Sequence, residues 1–259
     1  MSWRLTDLEF AAAWAELRED YMPSPLTYSA HTGDHDEHER QMFRARAELR
    51  DRLGAEEFPY LLREIAHPDI RVSVRGLNGR DAENPNGCVR VLATRKGSRA
   101  FLIEQHMGGT IWAATGFTIT EYPAPDLAAA IVAALPTAAA GRQPDVVLDD
   151  PRDSGLDYEY SQSMVYDNFE DGISARATWF DNATVETVGT IELAQAYSRF
   201  GPRGITRHTL HWRDLADDGR YAIVGDHPTV AVGANAKRMV SLINSGLITL
   251  VRAIRDDRS

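Results

Sequence analysis

Cysteine is nearly missing from this sequence of 259 residues: Cys88 stands alone, so no internal disulfide can form, as is usual for a protein folded in a reducing compartment. Positive charge is also in deficit. Against 38 Asp and Glu there are 28 Lys and Arg, a net charge of -10. That argues against binding a phosphate backbone, because nucleic-acid modules carry a basic surface. No window reaches the about 18 consecutive apolar residues of a membrane-spanning helix. The opening residues show no basic leader, long apolar run or small-residue cleavage site, so the expectation is a cytoplasmic protein. Phosphate loops, the Gly-x-Ser-x-Gly elbow and the Gly-rich dinucleotide fingerprint are lacking too, and no cofactor is expected. What is there, 43% hydrophobic and 25% charged residues, is the composition of an ordinary globular protein.

The chain is organised around a unit written twice. Late in the sequence, Asp218-Gly219-Arg220-Tyr221 turns into Ala222-Ile223-Val224, followed by Pro228-Thr229-Val230-Ala231-Val232 and a helix carrying Met239, Val240, Leu242 and Ile243. Earlier, Lys96-Gly97-Ser98-Arg99 turns into Ala100-Phe101-Leu102-Ile103, followed by Gly109-Thr110-Ile111-Trp112-Ala113 and a helix carrying Leu127, Ile131, Val132 and Leu135. A glycine turn, an apolar strand, a second strand opened by Thr and a helix with apolar spacings of three and four form one supersecondary unit. Its recurrence predicts a two-fold pseudo-repeat, and two copies are too few for a solenoid. The expected division is one domain over 1–259, with an N-terminal half to about 140, a linker over about 141–160 rich in Pro and Asp, and a C-terminal half from about 161.

Between these units the periodicities are plain. Thr6-Asp7-Leu8-Glu9 is a capping box that predicts a helix to about Asp20 with Phe10, Trp14 and Leu17 inward. Two amphipathic helices follow, one over about Asp36 to Leu53 with Met42, Phe43, Leu49 and Leu53 inward, and one through Phe58, Leu61, Leu62 and Ile65. Ile70, Val72 and Val74 alternate with Arg71, Ser73 and Arg75 as in a half-buried strand. A long loop from Gly76 to Asn86 leads to strands at Cys88 to Thr94 and Arg99 to Glu104. In the second half, Val165, Phe169, Ile173 and Ala177 predict a helix over Met164 to Trp179, and long antiparallel strands follow at Val185 to Tyr197 and Ile205 to Trp212. The last helix passes Gly246, where it could break or bend.

Residue patterns for chemistry are sparse. His31, His35 and His38 would share one side of a continuous helix, but Gly33 and the surrounding polar residues put the first in a loop, and no metal site is expected. The acids from Asp149 to Asp157 lack the ligand spacing of a calcium loop. Cys88 stands in a predicted strand with Val89 and Val91, where a small buried thiol is the common outcome. Asn182-Ala183-Thr184 is a glycosylation triplet that a chain without a secretory route would not use. No catalytic residue is assigned, which leans the reading toward binding. Two other classes stay open: a small hydrolase whose active-site residues are scattered, and a structural interaction subunit of a larger machine.

Trp3-Arg4-Leu5-Thr6-Asp7-Leu8-Glu9-Phe10 with Trp14 and Pro23-Ser24-Pro25-Leu26 resembles the start of EspG proteins, the secretion-associated chaperones of type VII (ESX) systems. Gly201-Pro202-Arg203-Gly204, Leu210-His211-Trp212-Arg213-Asp214, Asp218-Gly219-Arg220-Tyr221 and the closing amphipathic helix are similar to that family's C-terminal half. The resemblance covers both ends in order, with little to match from about Pro144 to Thr184. It implies an α+β fold, a quasi-two-fold pseudo-repeat with a central, mostly antiparallel β-sheet and two α-helical bundles. It also implies a cytosolic, non-enzymatic protein that binds PE–PPE heterodimers through the hydrophobic tip of the PPE protein, with homodimerisation left open.

A hydrophobic tip needs an apolar patch ringed with polar groups. In the strand from Val185, Ile191 and Leu193 point one way and Thr190 and Glu192 the other. In the next strand Thr206, His208 and Leu210 oppose Ile205, Arg207 and Thr209. Alternation does not say which face is free. The expected partner site is Ile191, His208 and Leu210 with Met239 and Ile243 on the last helix. The alternative is that all five are ordinary core.

Overall fold

A computed structural model of the chain describes residues 1–17, 21–54, 56–148, 168–225 and 228–258, with the helix backbone alone over 168–173. The chain opens on a strand, β1 (Ser2–Leu5), before helix α1 (Asp7–Ala15). Both halves of the capping box form: the Glu9 amide donates to Thr6 Oγ1 at 3.1 Å and the Thr6 amide to Glu9 Oε2 at 2.8 Å. α2 (His35–Leu53) is capped by Asp34, which accepts from the amides of Asp36 and Glu37, and it stops at Gly54, whose φ of 88° suits glycine. α3 (Glu57–Ala66) buries Phe58, Leu61, Leu62 and Ile65.

Four strands follow, β2 (Ile70–Asn78), β3 (Val89–Lys96), β4 (Arg99–Met107) and β5 (Ala114–Pro123), then α4 (Leu127–Ala133) and the short β6 (Val146–Leu148). After α5 (Asn168–Asn182) come β7 (Val185–Gln195), β8 (Arg207–Leu215), β9 (Gly219–Val224), β10 (Thr229–Gly233) and the long α6 (Ala236–Arg258). The ten strands among the described residues form one sheet in the order β1-β5-β4-β3-β2-β7-β8-β9-β10-β6, each pair antiparallel.

One face of the sheet is covered by α4 and α6, which bury Ile70, Val72, Val74, Leu102, Ile191, Leu193, Leu210 and Trp212. Among the described residues, helices cover the opposite face only at its ends. At one end α1, α2 and α3 pack over Leu92, Phe101, Ile103, Phe117 and Ile119; at the other α5 sets Ala177 and Phe180 on Leu215, Tyr221 and Ala231. Trp212 lies across the α6-covered face with none of its surface exposed. Gly76 and Gly189, paired with each other in neighbouring strands, make room for it. A Cβ on Gly189 would lie 2.1 Å from Trp212 Cη2.

Several expectations are corrected. The N-terminus forms β1 against β5 before any helix begins. Residues 109–113 are a turn rather than a strand, closed by the Gly108 amide on the Ala113 carbonyl at 2.8 Å; consecutive glycines favour that turn, and the strand is β5, where Phe117 and Ile119 alternate with Thr118 and Thr120. β2 continues through Gly76 to Asn78 because that glycine packs beneath Trp212. Phe43 is 71% exposed: α2 meets α1 through Ala45 and Leu49 and turns Phe43 to solvent. Cys88 precedes β3 and is only half-buried, its thiol donating to the Asn84 carbonyl at 3.3 Å. α6 runs unbroken past Gly246. Ala177 is buried as expected, while Val165, Phe169 and Ile173 lie outside the residues whose side chains are described.

Candidate partner interface

The five sequence-predicted site residues all belong to the face that α4 and α6 cover. Ile191, Met239 and Ile243 have no exposed surface and Leu210 has 1%; the four form part of one apolar cluster that fixes α6 to β7 and β8. Burying an aliphatic side chain of that kind is worth roughly 1.5–3 kcal/mol, so a partner could reach them only by lifting α6 away. His208 is the exception. It is exposed at the edge of α6, and a Cβ on Gly246 would come within 2.7 Å of its Cδ2. A side chain at that position would push the His208 ring aside.

Among the described residues, no helix covers the opposite faces of the same strands. Across β2, β7 and β8 the paired rows run Ser73, Glu192, Thr209; Arg75, Thr190, His211; and Leu77, Val188, Arg213. Arg75, Val188, Glu192, Thr209 and His211 are exposed, and the apolar Val188, 38% exposed, stands among them. Sequence alternation had separated these residues from Ile191 and Leu210 correctly. What assigns them to solvent is the apolar stripe of α6, which takes the face offering Leu193 and Trp212 and leaves the mixed one.

The margins of this face are ordered. On the side of α1–α3 the segment after Met22 is tied to β2 and β3: Ser73 Oγ donates to the Ser24 carbonyl at 3.2 Å, the Arg75 guanidinium bonds Ser24 Oγ, and Arg90 donates to the carbonyls of Pro25 and Ile111, each at 3.0 Å. Burial above all holds the Arg90 pKa below its ordinary range. On the α5 side Arg213 lies over the Phe180 ring, 5.0 Å from its centroid, and pairs with Asp181. Beneath it Phe180 meets Tyr221 edge-on.

A groove of about 640 Å³ runs from this face to the β7–β8 loop, lined by Arg71, Ser73, Glu192, Ala194, Tyr197 and Arg207 among others. The face offers little for chemistry. Thr190 Oγ1 and His211 Nδ1 are 3.1 Å apart, but among the described residues no carboxylate orients the other nitrogen of His211, as a nucleophile–base pair would require.

The three N-terminal histidines go to different partners. His31 Nε2 bonds Asp7 Oδ2 at 2.6 Å from its loop, His35 pairs with Glu39, and His38 stacks on Tyr28. Among the described residues no group of three or more His, Cys, Asp and Glu could hold a metal ion. Tyr28, between His31 and His38, has its pKa pushed up to about 12 by burial and then by the Asp7 charge.

Of the residues quoted from the C-terminal half, Asp214, Asp218, Arg220 and Tyr221 meet at the β8–β9 hairpin. Arg220 donates to both carboxylate oxygens of Asp214, at 2.7 and 2.8 Å, and to the Pro136 carbonyl at 2.7 Å. Asp218 bonds the Tyr221 hydroxyl and accepts the amide and side chain of Arg142, each at 3.0 Å. Spacing alone does not reveal this, because Pro136 and Arg142 come from more than seventy residues upstream.

The family model described as the EspG family matches residues 6–244. No curated protein matches. Among solved structures, that of the Mycobacterium tuberculosis type VII secretion system chaperone EspG5 in complex with the PE25–PPE41 dimer is similar, with a TM-score of 0.60 and 12% sequence identity, covering 95% of this chain and 96% of that one. At that identity the likeness is one of fold.

Proposed function

The chain belongs to the EspG family, and from that premise we propose that it is a cytosolic chaperone or adaptor that binds a PE–PPE heterodimer for type VII secretion and catalyses no reaction. The observation that carries this reading is the centre of a ten-stranded sheet that no described helix covers on one face, where Val188 stands between Leu77 and Arg213 and one row from Arg75, Thr190 and His211. Such a mixture suits a protein that holds the hydrophobic tip of a PPE protein and later releases it. The similar fold found in a chaperone solved with PE25–PPE41 supports the choice of cargo. Among the described residues, no helix is long and apolar enough to cross a membrane.

The finer architecture belongs to the same proposal. The strand order is a mirror about the β2–β7 pair, with β2 to β5 on one side and β7 to β10 on the other, and each run is followed by a helix on the same face. This supports a quasi-two-fold repeat inside one domain, with halves over about 1–140 and 161–259 joined by a linker over about 141–160, each half with its own helices on the opposite face. In the partner site His208 is a marginal contact. Ile191, Leu210, Met239 and Ile243 act by holding α6 in place.

Co-expression with a candidate PE–PPE pair tests the reading. A tagged chain should copurify with the pair, and Thr190→Arg, placed on the open face, should stay folded and lose it. Retention of the cargo by a folded Thr190→Arg together with His211→Glu would move the site elsewhere, and size-exclusion chromatography of the free protein reports whether it dimerises.

A further inference from the structure

The loop between β7 and β8 carries a feature that the open face does not explain. From Leu193 to Arg213 the chain has Arg199, Arg203, Arg207 and Arg213, together with His208 and His211, and no acid, in a protein of net charge -10. Tyr197 and Phe200 are 76% and 66% exposed. The loop is nevertheless built: Ser198 is buried, the Phe200 amide donates to its hydroxyl at 3.3 Å, the Gly201 amide to its carbonyl at 3.0 Å, and the Gly204 amide to the Gly201 carbonyl at 3.0 Å. Gly201 takes a φ of 71°, which glycine adopts without cost.

Two of the nearby acids are already engaged. Asp69 pairs with Arg258 and accepts the Gly97 amide, while Asp257 accepts from the Gln195 side chain. Among the described residues Arg203 and Arg207 make no ion pair, and Arg199 does no more than stack on Phe200, 4.9 Å from its ring centroid. A preordered loop that presents unpaired guanidiniums and two aromatic rings has the composition of an interface hot spot. It is also continuous with the proposed cargo surface, because Tyr197 and Arg207 line the groove that opens onto Ser73 and Glu192.

We infer that the β7–β8 loop is a second contact for the same cargo, taking an acidic patch beside the apolar tip. The inference rests on the chaperone reading above. A body seated on the open face extends along the groove to Tyr197, where Arg199 and Arg203 meet its carboxylates. The groove is concave, which suits a convex protein and not a flat bilayer. Exposed charges of this kind act mainly on the rate of encounter, and salt screens them beyond about 10 Å at 0.1 M ionic strength.

Association and dissociation of purified chaperone and PE–PPE dimer, measured over a range of salt, test this. Arg199→Glu with Arg203→Glu changes exposed residues only. It should slow association about ten-fold at low salt and flatten its salt dependence. Tyr197→Ala with Phe200→Ala should speed dissociation, and neutralising the cargo's acidic residues beside the tip should remove any further effect of the arginine variant. A wild-type rate and salt slope in the arginine variant, with Thr190→Arg still abolishing binding, overturns the loop contact and leaves the chaperone reading intact. Failure of the wild-type protein to bind any PE–PPE dimer removes both. If the arginine variant loses binding to phosphatidylglycerol vesicles but takes up cargo normally, the loop belongs to a membrane and the inference is wrong.

Discussion

Removing the Asp214 carboxylate should unfold this protein far more readily than removing a surface charge. In the native structure the Arg220 side chain is 4% exposed and that of Asp214 7%. Arg220 makes two bonds to Asp214 and one to Pro136. Asp214→Ala would leave the guanidinium out of water with a single carbonyl for company, and breaking a buried pair in this way costs about 3–5 kcal/mol. At this size of chain about 1 kcal/mol corresponds to 2–4 °C, so the thermal midpoint should fall by roughly 6–20 °C. The exposed pair Arg258–Asp69, at the same 2.7 Å, is the control, and its loss should cost about 0–1 kcal/mol. Thermal and urea unfolding followed by tryptophan fluorescence measure these, with Trp212 in the same strand as Asp214. Replacing both partners, Asp214→Leu with Arg220→Met, removes the unpaired charge and should recover most of the loss. A loss below about 1 kcal/mol for Asp214→Ala, or a double variant no better than the single one, would refute the reasoning.

Gly189→Ala should destabilise by about 1–3 kcal/mol or more, since the new Cβ meets Trp212 and also, at 2.5 Å, the Arg75 carbonyl; urea midpoints check this, and a neutral result would mean the strands shift freely. Ile243→Glu should aggregate or fail to fold because the side chain is fully buried, whereas a soluble, folded variant by circular dichroism would show that α6 is not held as described. Tyr221 has its pKa raised to about 12, by burial first and then by the Asp218 hydrogen bond. A raised folded-state pKa gives stability that is complete below the unfolded value of about 10 and lost as pH climbs toward about 12. The unfolding midpoint should therefore fall across that window, and less steeply in Tyr221→Phe. At the acid end, burial works to raise the Asp218 pKa, but bonds from Tyr221 and from the amide and side chain of Arg142 prevail and lower it. Its contribution is present above the ordinary carboxylate range and is lost as pH falls through the depressed value, so Arg142→Ala should blunt the acid limb of the stability curve.

Much of this protein was written locally. Thr6 and Glu9 are three residues apart and cap α1 by themselves, and the alternation in β2, β7 and β8 separates two faces because side chains on a strand have a period of two. The order of the quoted segments, from Trp3 to the closing helix, was enough to suggest the family to which the chain belongs. Tertiary structure decided the rest. Whether Ile191 or Thr190 meets solvent depends on α6, which starts more than forty residues later and covers whichever face buries more apolar surface. That choice reverses the outcome for Ile191 and Leu210 while leaving their strands as read. Phe43 has helical spacing but faces water because α2 meets α1 through smaller residues. Asp214 finds Arg220 only once the hairpin closes, and Pro136 joins them only once the sheet is assembled. Periodicity reports the geometry of one element, which nearest neighbours impose; the identity of the layer against each face is a property of the whole chain, set by competition among distant apolar surfaces for the same burial.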